Sequence, residues 1–171
     1  MPLIKGGRYV ADPWRPLADD EPVPEAPRLT VSCARWLKER DTLAAAPAQL
    51  GLRLPNDVAV AKLAGDLARF ALVVLHFPRF TDGRAYSQAR LLRGRYGFTG
   101  ELRADGEVLR DQLLFMRRCG FDAFAVGERA LFENWLHAFR EIDVFYQPAE
   151  DRQISRLRRR ILHGASDFTV A

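Results

Sequence analysis

The sequence predicts a single α/β domain with a mainly parallel sheet of about five strands, joined by βα repeats as an open sheet or a partial barrel. Residues 70–77 (FALVVLHF) form a near-continuous apolar run, which is typical of a parallel strand covered by helices on both faces. Strand patterns alternate with helical patterns of about 10–15 residues, as right-handed crossovers require. A complete eight-fold barrel needs roughly 250 residues, more than the 171 present here.

The first half of the domain is predicted to contain two short strands, each followed by a helix. In chain order these are the strand 28–32 (RLTVS), the helix 34–45, the strand 50–54 (LGLRL) and a helix ending near residue 67. Trp36, Leu37 and Leu43 give the first helix a partial apolar face. Asn56 or Asp57 can cap the second helix.

The second half continues the alternation after the strand 70–77. Its predicted elements are the helix 87–96, the strand 100–104, the helix 106–118, the strand 121–126, the helix 129–140 and a possible last strand 144–146. Gly97 and Gly120 follow the first two of these helices, as glycines that end helices do. Asp105 is predicted to cap the helix that begins at Gly106.

Two terminal segments are predicted to flank the domain, which spans residues 28–148. Residues 1–27 hold six of the ten prolines and a series of acids, so an extended or mobile arm is expected there. Residues 149–171 form a basic tail with five arginines between residues 152 and 160. This tail is either an amphipathic helix that docks on a partner or on RNA, or a solvated helix. Aromatic residues do not interleave with its arginines, which disfavours nucleic acid as the partner.

The composition excludes several classes of protein. No apolar run approaches the roughly 20 residues of a membrane span, and the N-terminus lacks the apolar core of a secretory signal, so a soluble cytoplasmic protein is expected. The two cysteines are far apart, so no CxxC motif and no four-thiolate zinc or iron–sulfur site exists within one chain. No GxGxxG follows a strand, and there is neither a P-loop nor a GxSxG elbow. The sequence therefore indicates no particular cofactor.

Polar residues cluster where two neighbouring strands end, which is where an open α/β sheet keeps its site. The candidates are Asp82, Arg84, Ser87, Arg103, Arg110, Asp111 and Gln112. Residues 79–118 contain nine arginines and five acids, an excess equal to the net charge of +4. Fixed arginines beside helix N-termini favour anions, so the sequence predicts an anion site, with Arg84 and Arg103 as its preferred contacts. The alternative is that these arginines form structural ion pairs with Glu101 and Asp111.

Two further side chains have a possible role in chemistry. Cys119 is a redox candidate at a helix C-terminus, where the helix dipole disfavours a thiolate while Arg117 and Arg118 favour it. The alternative for Cys119 is a small buried hydrophobe. His76 ends the central strand and borders the predicted site, or else it is a structural histidine. The three histidines share no ligand spacing, so no metal site is predicted.

Residues 77–124 resemble a bacterial family of unknown function whose members are often labelled probable oxidoreductases of sulfite reduction. The resemblance is carried by FTDGR (80–84), SQARLLR (87–93), GELRA (100–104) and DQLLFMRRCGFDAF (111–124). Asp105 departs from the pattern, which has a residue such as Val or Ile before the Gly106 turn. No catalytic residues are established for the family, so none is carried over.

The resemblance implies a role in sulfate assimilation, because genes of the family commonly neighbour those of sulfite reductase and the sulfonucleotide reductase. Two hypotheses follow. The first is an accessory protein that binds a small anion or docks on one of these reductases through the C-terminal edge of its sheet. The second is an oxidoreductase that acts directly in sulfite reduction.

Overall fold

The protein forms one curled, open sheet of eight strands, which makes half of a barrel, in a computed structural model that describes residues 2–127, 135–139 and 149. The strands are β1 (Leu3–Lys5), β2 (Arg8–Val10), β3 (Arg15–Pro16), β4 (Arg28–Ser32), β5 (Gln49–Leu54), β6 (Phe70–Phe77), β7 (Glu101–Gly106) and β8 (Ala123–Ala125). Their order in the sheet is β2-β1-β8-β7-β6-β5-β4-β3.

The five strands predicted from the sequence correspond to β4 through β8, and they lie side by side in parallel. The predicted sheet of about five mainly parallel strands is nevertheless wrong in size. Three further strands come from the N-terminal segment: β3 is parallel to β4, whereas β1 and β2 extend the other edge in antiparallel fashion. These strands are only two or three residues long, too short to show a period of two in the sequence.

The N-terminal segment therefore reaches both edges of the sheet. Its first two strands extend the edge at β8, and β3 extends the edge at β4. Residues 11–14, which we call the strap, connect the two edges by crossing the inner face of the half-barrel. Trp14 of the strap packs on Leu72 and Val74 of β6. The sequence predicted an extended or mobile arm here, whereas residues 3–5, 8–10 and 15–16 are strands of the sheet.

The helices lie on the opposite, outer face. They are α1 (Cys33–Lys38), α2 (Arg40–Ala44), α3 (Arg84–Arg90), which continues as a π-helical turn over Leu91–Arg95, and α4 (Leu113–Arg118). Single 3-10 turns cover Val60–Leu63, Leu67–Arg69, Arg110–Gln112 and Trp135–Phe139. Gly97 and Gly120 have the positive φ expected of glycines that follow helices.

Three helical predictions need correction. The helix expected over 34–45 is divided at Glu39, and the helix expected up to residue 67 is replaced by two 3-10 turns. The helix expected over 106–118 begins as an α-helix only at Leu113, because β7 continues through Gly106. Asp105 is consequently a strand residue and not a helix cap. Of the predicted helix 129–140 only residues 135–139 are described, and the strand 144–146 and the basic tail lie outside the described residues.

The main hydrophobic core lies between the sheet and the helices. Along β6 the side chains of Val73, Leu75 and Phe77 face this core, together with Leu102 and Ala104 of β7. The apolar run 70–77 was expected to have helices on both faces; helices cover one face, and Trp14 covers part of the other. No helix in the part of the chain that is described has the length and apolar character needed to cross a bilayer.

Candidate functional site

A cluster of three polar side chains lies on the inner face, where three neighbouring parallel strands end. Arg53, His76 and Asp105 are the next-to-last residues of β5, β6 and β7. His76 and Asp105 are direct register partners, and Arg53 is in register with Val74, two residues before His76. Side chains alternate between the faces of a strand, so all three project away from the helices.

Asp105 holds the other two members of the cluster. Its Oδ1 lies 2.8 Å from Nδ1 of His76, and its Oδ2 accepts a hydrogen bond of 2.8 Å from Nη2 of Arg53. Asp105 itself is only 9% exposed. The side chains of His76 and Arg53 remain 49% and 47% exposed, so each presents its free end to solvent. The buried carboxylate thus fixes two exposed nitrogen groups.

The arrangement sets the tautomer of His76. A carboxylate accepts hydrogen bonds and donates none, so Nδ1 of His76 carries the proton in the bond to Oδ1 of Asp105. The second ring nitrogen, Nε2, then has a free lone pair when the imidazole is neutral. A histidine oriented in this way by a carboxylate is a common element of acid–base and ligand-binding sites.

A second ionic group lies deeper on the same face. Arg103, whose side chain is 5% exposed, donates to Asp12 of the strap at 2.8 Å and to Glu101 at 2.8 and 3.0 Å. Lys5 of β1 pairs with the other oxygen of Glu101 at 2.6 Å. Each of the three guanidinium nitrogens of Arg103 therefore donates to a carboxylate, and the bond to Asp12 fastens the strap to the sheet.

These groups border a cavity of about 560 Å³ on the inner face. The charged residues that line it are Asp12, Arg53, Arg103 and Asp105. Two guanidiniums thus balance two carboxylates, while Glu101, behind Arg103, is balanced by Lys5. The cavity is neutral while His76 is neutral, and it carries one positive charge once His76 is protonated.

The loops after β6 and β7, where the sequence predicts an anion site, are in contact. Phe80, in the loop after β6, donates its N–H to Glu107 at 2.9 Å and accepts a 3.1 Å hydrogen bond from Gln112. Asp82 and Arg84 form a two-bond ion pair, with Nη2–Oδ2 at 2.7 Å and Nε–Oδ1 at 3.0 Å. This pairing holds the pKa of Asp82 well below its usual range and raises that of Arg84.

The preferred pair of anion contacts is not brought together. Arg103 projects from the inner face of β7, whereas Arg84 is the first residue of α3 on the outer face. Arg103 also makes the ion pair with Glu101 that the structural alternative anticipates. The other candidates lie near the outer loops: Ser87 and Asp111 are exposed, and Arg110 is partly buried.

Both cysteines are buried thiols. Cys119, the redox candidate, is 4% exposed, and Cys33 is 3% exposed. Burial raises the pKa of Cys33; the charge of Lys62 lowers it by a smaller amount, and the charge of Asp57 raises it further. Among the described residues, no group of three or more His, Cys, Asp and Glu side chains is placed to hold a metal ion.

Only part of the inner cluster is predicted from the sequence. The strand and helix patterns place His76 at the border of the site and Asp105 at a helix cap, and Arg53 is not among the predicted residues. A signal was present: each of the three strands carries one polar residue one place before its last position. This pattern can be recognised only if β7 ends at Gly106, whereas the predicted strand ended at residue 104.

The comparisons with known proteins give a family and no function. A search of curated proteins finds no match for the chain. Residues 51–156 match the model of a family described as bacterial protein of unknown function, DUF934. The match includes the whole Arg53–His76–Asp105 cluster. Because it covers more than half of the 171 residues, the chain belongs to this bacterial family of unknown function.

Proposed function

We propose that the inner-face cluster binds a small oxoanion, and that the protein serves assimilatory sulfate and sulfite reduction as an accessory protein. The observation that supports this best is the pair of half-exposed nitrogen groups, Arg53 and His76, fixed by one buried carboxylate where β5, β6 and β7 end. The carboxyl ends of parallel strands are the usual location of ligand sites in α/β folds.

The chemistry of the cluster suits an anion with several oxygens. One nitrogen of the Arg53 guanidinium donates to Asp105, and about half of the side chain is exposed. Its remaining N–H groups are therefore available as a planar set of donors. Nε2 of His76 supplies a further donor once the imidazole is protonated. Both groups border the 560 Å³ cavity, which is ample for sulfite or sulfate.

Isothermal titration with sulfite and with sulfate tests the binding part of the proposal. Arg53→Gln removes the exposed cation without removing the side chain's polarity, and it is expected to weaken binding about tenfold or more. Arg84→Gln is the matched comparison, because Arg84 is an exposed arginine of the outer loops. Loss of binding in Arg84→Gln with retention in Arg53→Gln would move the site to the outer loops and overturn the assignment to the inner face.

The pathway part of the proposal is supported by the resemblance of residues 77–124. Its partners would be sulfite reductase or the sulfonucleotide reductase, with the C-terminal edge of the sheet as the docking surface. Two experiments test it: affinity capture of purified sulfite reductase on the immobilised protein, and growth on sulfate as sole sulfur source after deletion of the gene. Normal growth on sulfate, in a strain without a second copy, would reject the pathway.

An oxidoreductase acting directly in sulfite reduction is the alternative proposal. It requires that the purified protein carry a flavin-like absorption spectrum or turn over sulfite with an added reductant. The burial of Cys33 and Cys119 favours the accessory role over thiol chemistry, since reactive cysteines are partly exposed thiolates. Turnover that survives in Cys119→Ser and is lost in Arg53→Gln would place a reaction at the inner cluster.

A further inference from the structure

We propose that the anion site is proton-coupled: His76 takes up one proton as the oxoanion binds, and its Nε2–H then donates to an oxygen of the bound anion. This inference rests on the proposed anion binding and specifies its chemistry. The site then binds an oxoanion and a proton together, so its affinity for the anion increases as the pH falls.

The first support is the charge balance of the cavity. The charged groups that line the cavity together with His76 are Arg53 from β5, Asp105 and Arg103 from β7, and Asp12 from the strap. Two guanidiniums and two carboxylates leave no net charge. A bound anion in a neutral, half-open cavity lacks a compensating charge, and protonation of His76 supplies it.

The second support is the direction in which the imidazole is held. Nδ1 of His76 is engaged by Asp105 at 2.8 Å, so uptake of a proton occurs at Nε2, on the far side of the ring. Half of the His76 side chain is exposed, so that atom is accessible to a ligand. Protonation therefore converts the exposed nitrogen from an acceptor, which repels anion oxygens, into a donor.

The third support is that Asp105 stabilises the protonated ring without being displaced by the ligand. Asp105 is 9% exposed and has both oxygens in use, on His76 and on Arg53. It is a positioning residue, because it acts on the anion only through these two side chains. Its hydrogen bond to Nδ1–H strengthens when the ring becomes an imidazolium, which offsets part of the cost of charging it.

The test is titration calorimetry of the full chain with sodium sulfate, which remains a dianion throughout the working range of about pH 6 to 8. Each titration is repeated in two buffers of different ionisation enthalpy, so that the number of protons taken up per anion is measured directly. The wild-type protein is expected to take up a measurable fraction of a proton per sulfate bound. Its affinity for sulfate is expected to be higher at the lower end of this pH range than at the upper end.

His76→Gln keeps a hydrogen-bonding side chain that does not titrate, so proton uptake is expected to vanish and any residual affinity to be independent of pH. His137→Gln, at an exposed histidine outside the cavity, is the matched control and is expected to keep the uptake. Asp105→Asn is expected to change the tautomer of His76, which is read from the 15N shifts of the imidazole in the protein without anion.

The outcomes separate the two proposals. Sulfate binding with no proton uptake in the wild-type protein, or with uptake that persists in His76→Gln, would overturn the proton coupling and leave the anion site standing. Absence of both sulfate and sulfite binding at every pH would overturn the anion site and the proton coupling with it. Unchanged imidazole 15N shifts in Asp105→Asn would contradict the positioning role of Asp105.

Discussion

At the scale of single residues, Gly106 has a backbone position that a side chain cannot share. Its φ is +90°, and a Cβ placed there would lie 2.2 Å from the carbonyl oxygen of Phe77. That oxygen also accepts the N–H of Glu107 at 2.8 Å, so it is not free to move. We expect Gly106→Ala to lower the free energy of unfolding by about 2–4 kcal/mol.

Urea unfolding followed by circular dichroism measures this effect. Gly65→Ala is the control, because a Cβ at Gly65 meets nothing within 4 Å. Its stability is expected to be unchanged or raised by up to about 1 kcal/mol. Equal stabilities of the Gly106→Ala variant and the wild-type protein would contradict the prediction, because they would show that the backbone after β7 can shift to accommodate a Cβ.

Tyr86 makes stability depend on pH in the alkaline range. Burial raises its pKa from 10.0 to about 12, and the neighbouring Cys119 and Asp111 add to the effect. Between these two values the unfolded chain has released the phenol proton while the folded protein retains it. The unfolded state then binds fewer protons, so stability is complete below pH 10 and declines as the pH rises towards 12.

Tyr86→Phe removes this contribution, so its free energy of unfolding is expected to decline less steeply than that of the wild-type protein over the same interval. Urea unfolding at a series of alkaline pH values measures the two slopes, and phenolate absorbance follows the titration itself. Parallel curves for the two proteins would contradict the expected retention of the proton.

Asp105 shows why single residues of the site were hard to predict. An Asp before a Gly normally marks a turn or a helix start, so local rules assigned it to a cap. The structure instead extends β7 by two residues, because pairing with the ends of β6 satisfies the backbone there. Asp105 is also the residue by which the chain departs from the pattern that it resembles, so pattern matching could not assign it a role.

At the scale of elements, one arginine connects the end of α3 to the segments that lead into β7 and β8. Arg93, in the π-helical turn, donates to the carbonyls of Phe98, Gly100 and Gly120 and pairs with Asp122. Its side chain is 15% exposed. Arg93→Met would leave several carbonyls unpaired, and we expect the free energy of unfolding to fall by about 2–4 kcal/mol.

Arg90→Met serves as the control for this prediction, because Arg90 is an exposed residue of α3 itself. Its effect on the same unfolding measurement is expected to stay within about 0.5 kcal/mol. A loss in Arg90→Met as large as that in Arg93→Met would mean that helix charge, and not the link to the strands, stabilises this region.

The strands were more predictable than the helices. The bounds of the strand 70–77 could be predicted because its apolar run is nearly continuous, and six of its eight residues are buried. The outer helices are only five to seven residues long; α3 continues as a π-helical turn, and α4 is preceded by a 3-10 turn. Apolar residues beyond the helix ends also contact the sheet, so the spacing of apolar residues predicted helices longer than those observed.

At the scale of the whole molecule, the sheet is held across its inner face by the strap. Parallel strands in chain order place their crossovers on one face, which leaves the other to be covered by a different part of the chain. The covering of the inner face is hard to predict from the sequence, because the segment that provides it has the composition of a proline-rich arm. Its contribution comes from a few long-range contacts, among them Trp14 on β6 and Asp12 on Arg103.

Trp14→Ala tests whether the strap stabilises the fold and shields the cavity together. Trp14 is 9% exposed and packs on Leu72 and Val74, so its truncation is expected to cost about 3 kcal/mol in urea unfolding. Trp14 also lines the cavity beside His76. We therefore expect diethyl pyrocarbonate to modify His76 several-fold faster in the variant, as measured by peptide mass spectrometry under conditions where the protein stays folded.

The control for the strap is Leu37→Ala, which truncates an apolar side chain that is already 46% exposed on the helical face. Its stability and its rate of His76 modification are expected to match those of the wild-type protein. A loss of stability in Trp14→Ala without faster modification would mean that the strap supports the sheet but does not limit access to the cavity. A segment that holds two sheet edges together cannot be released without lowering stability. Faster modification without a loss of stability would therefore show that the strap limits access to the cavity and does not stabilise the sheet.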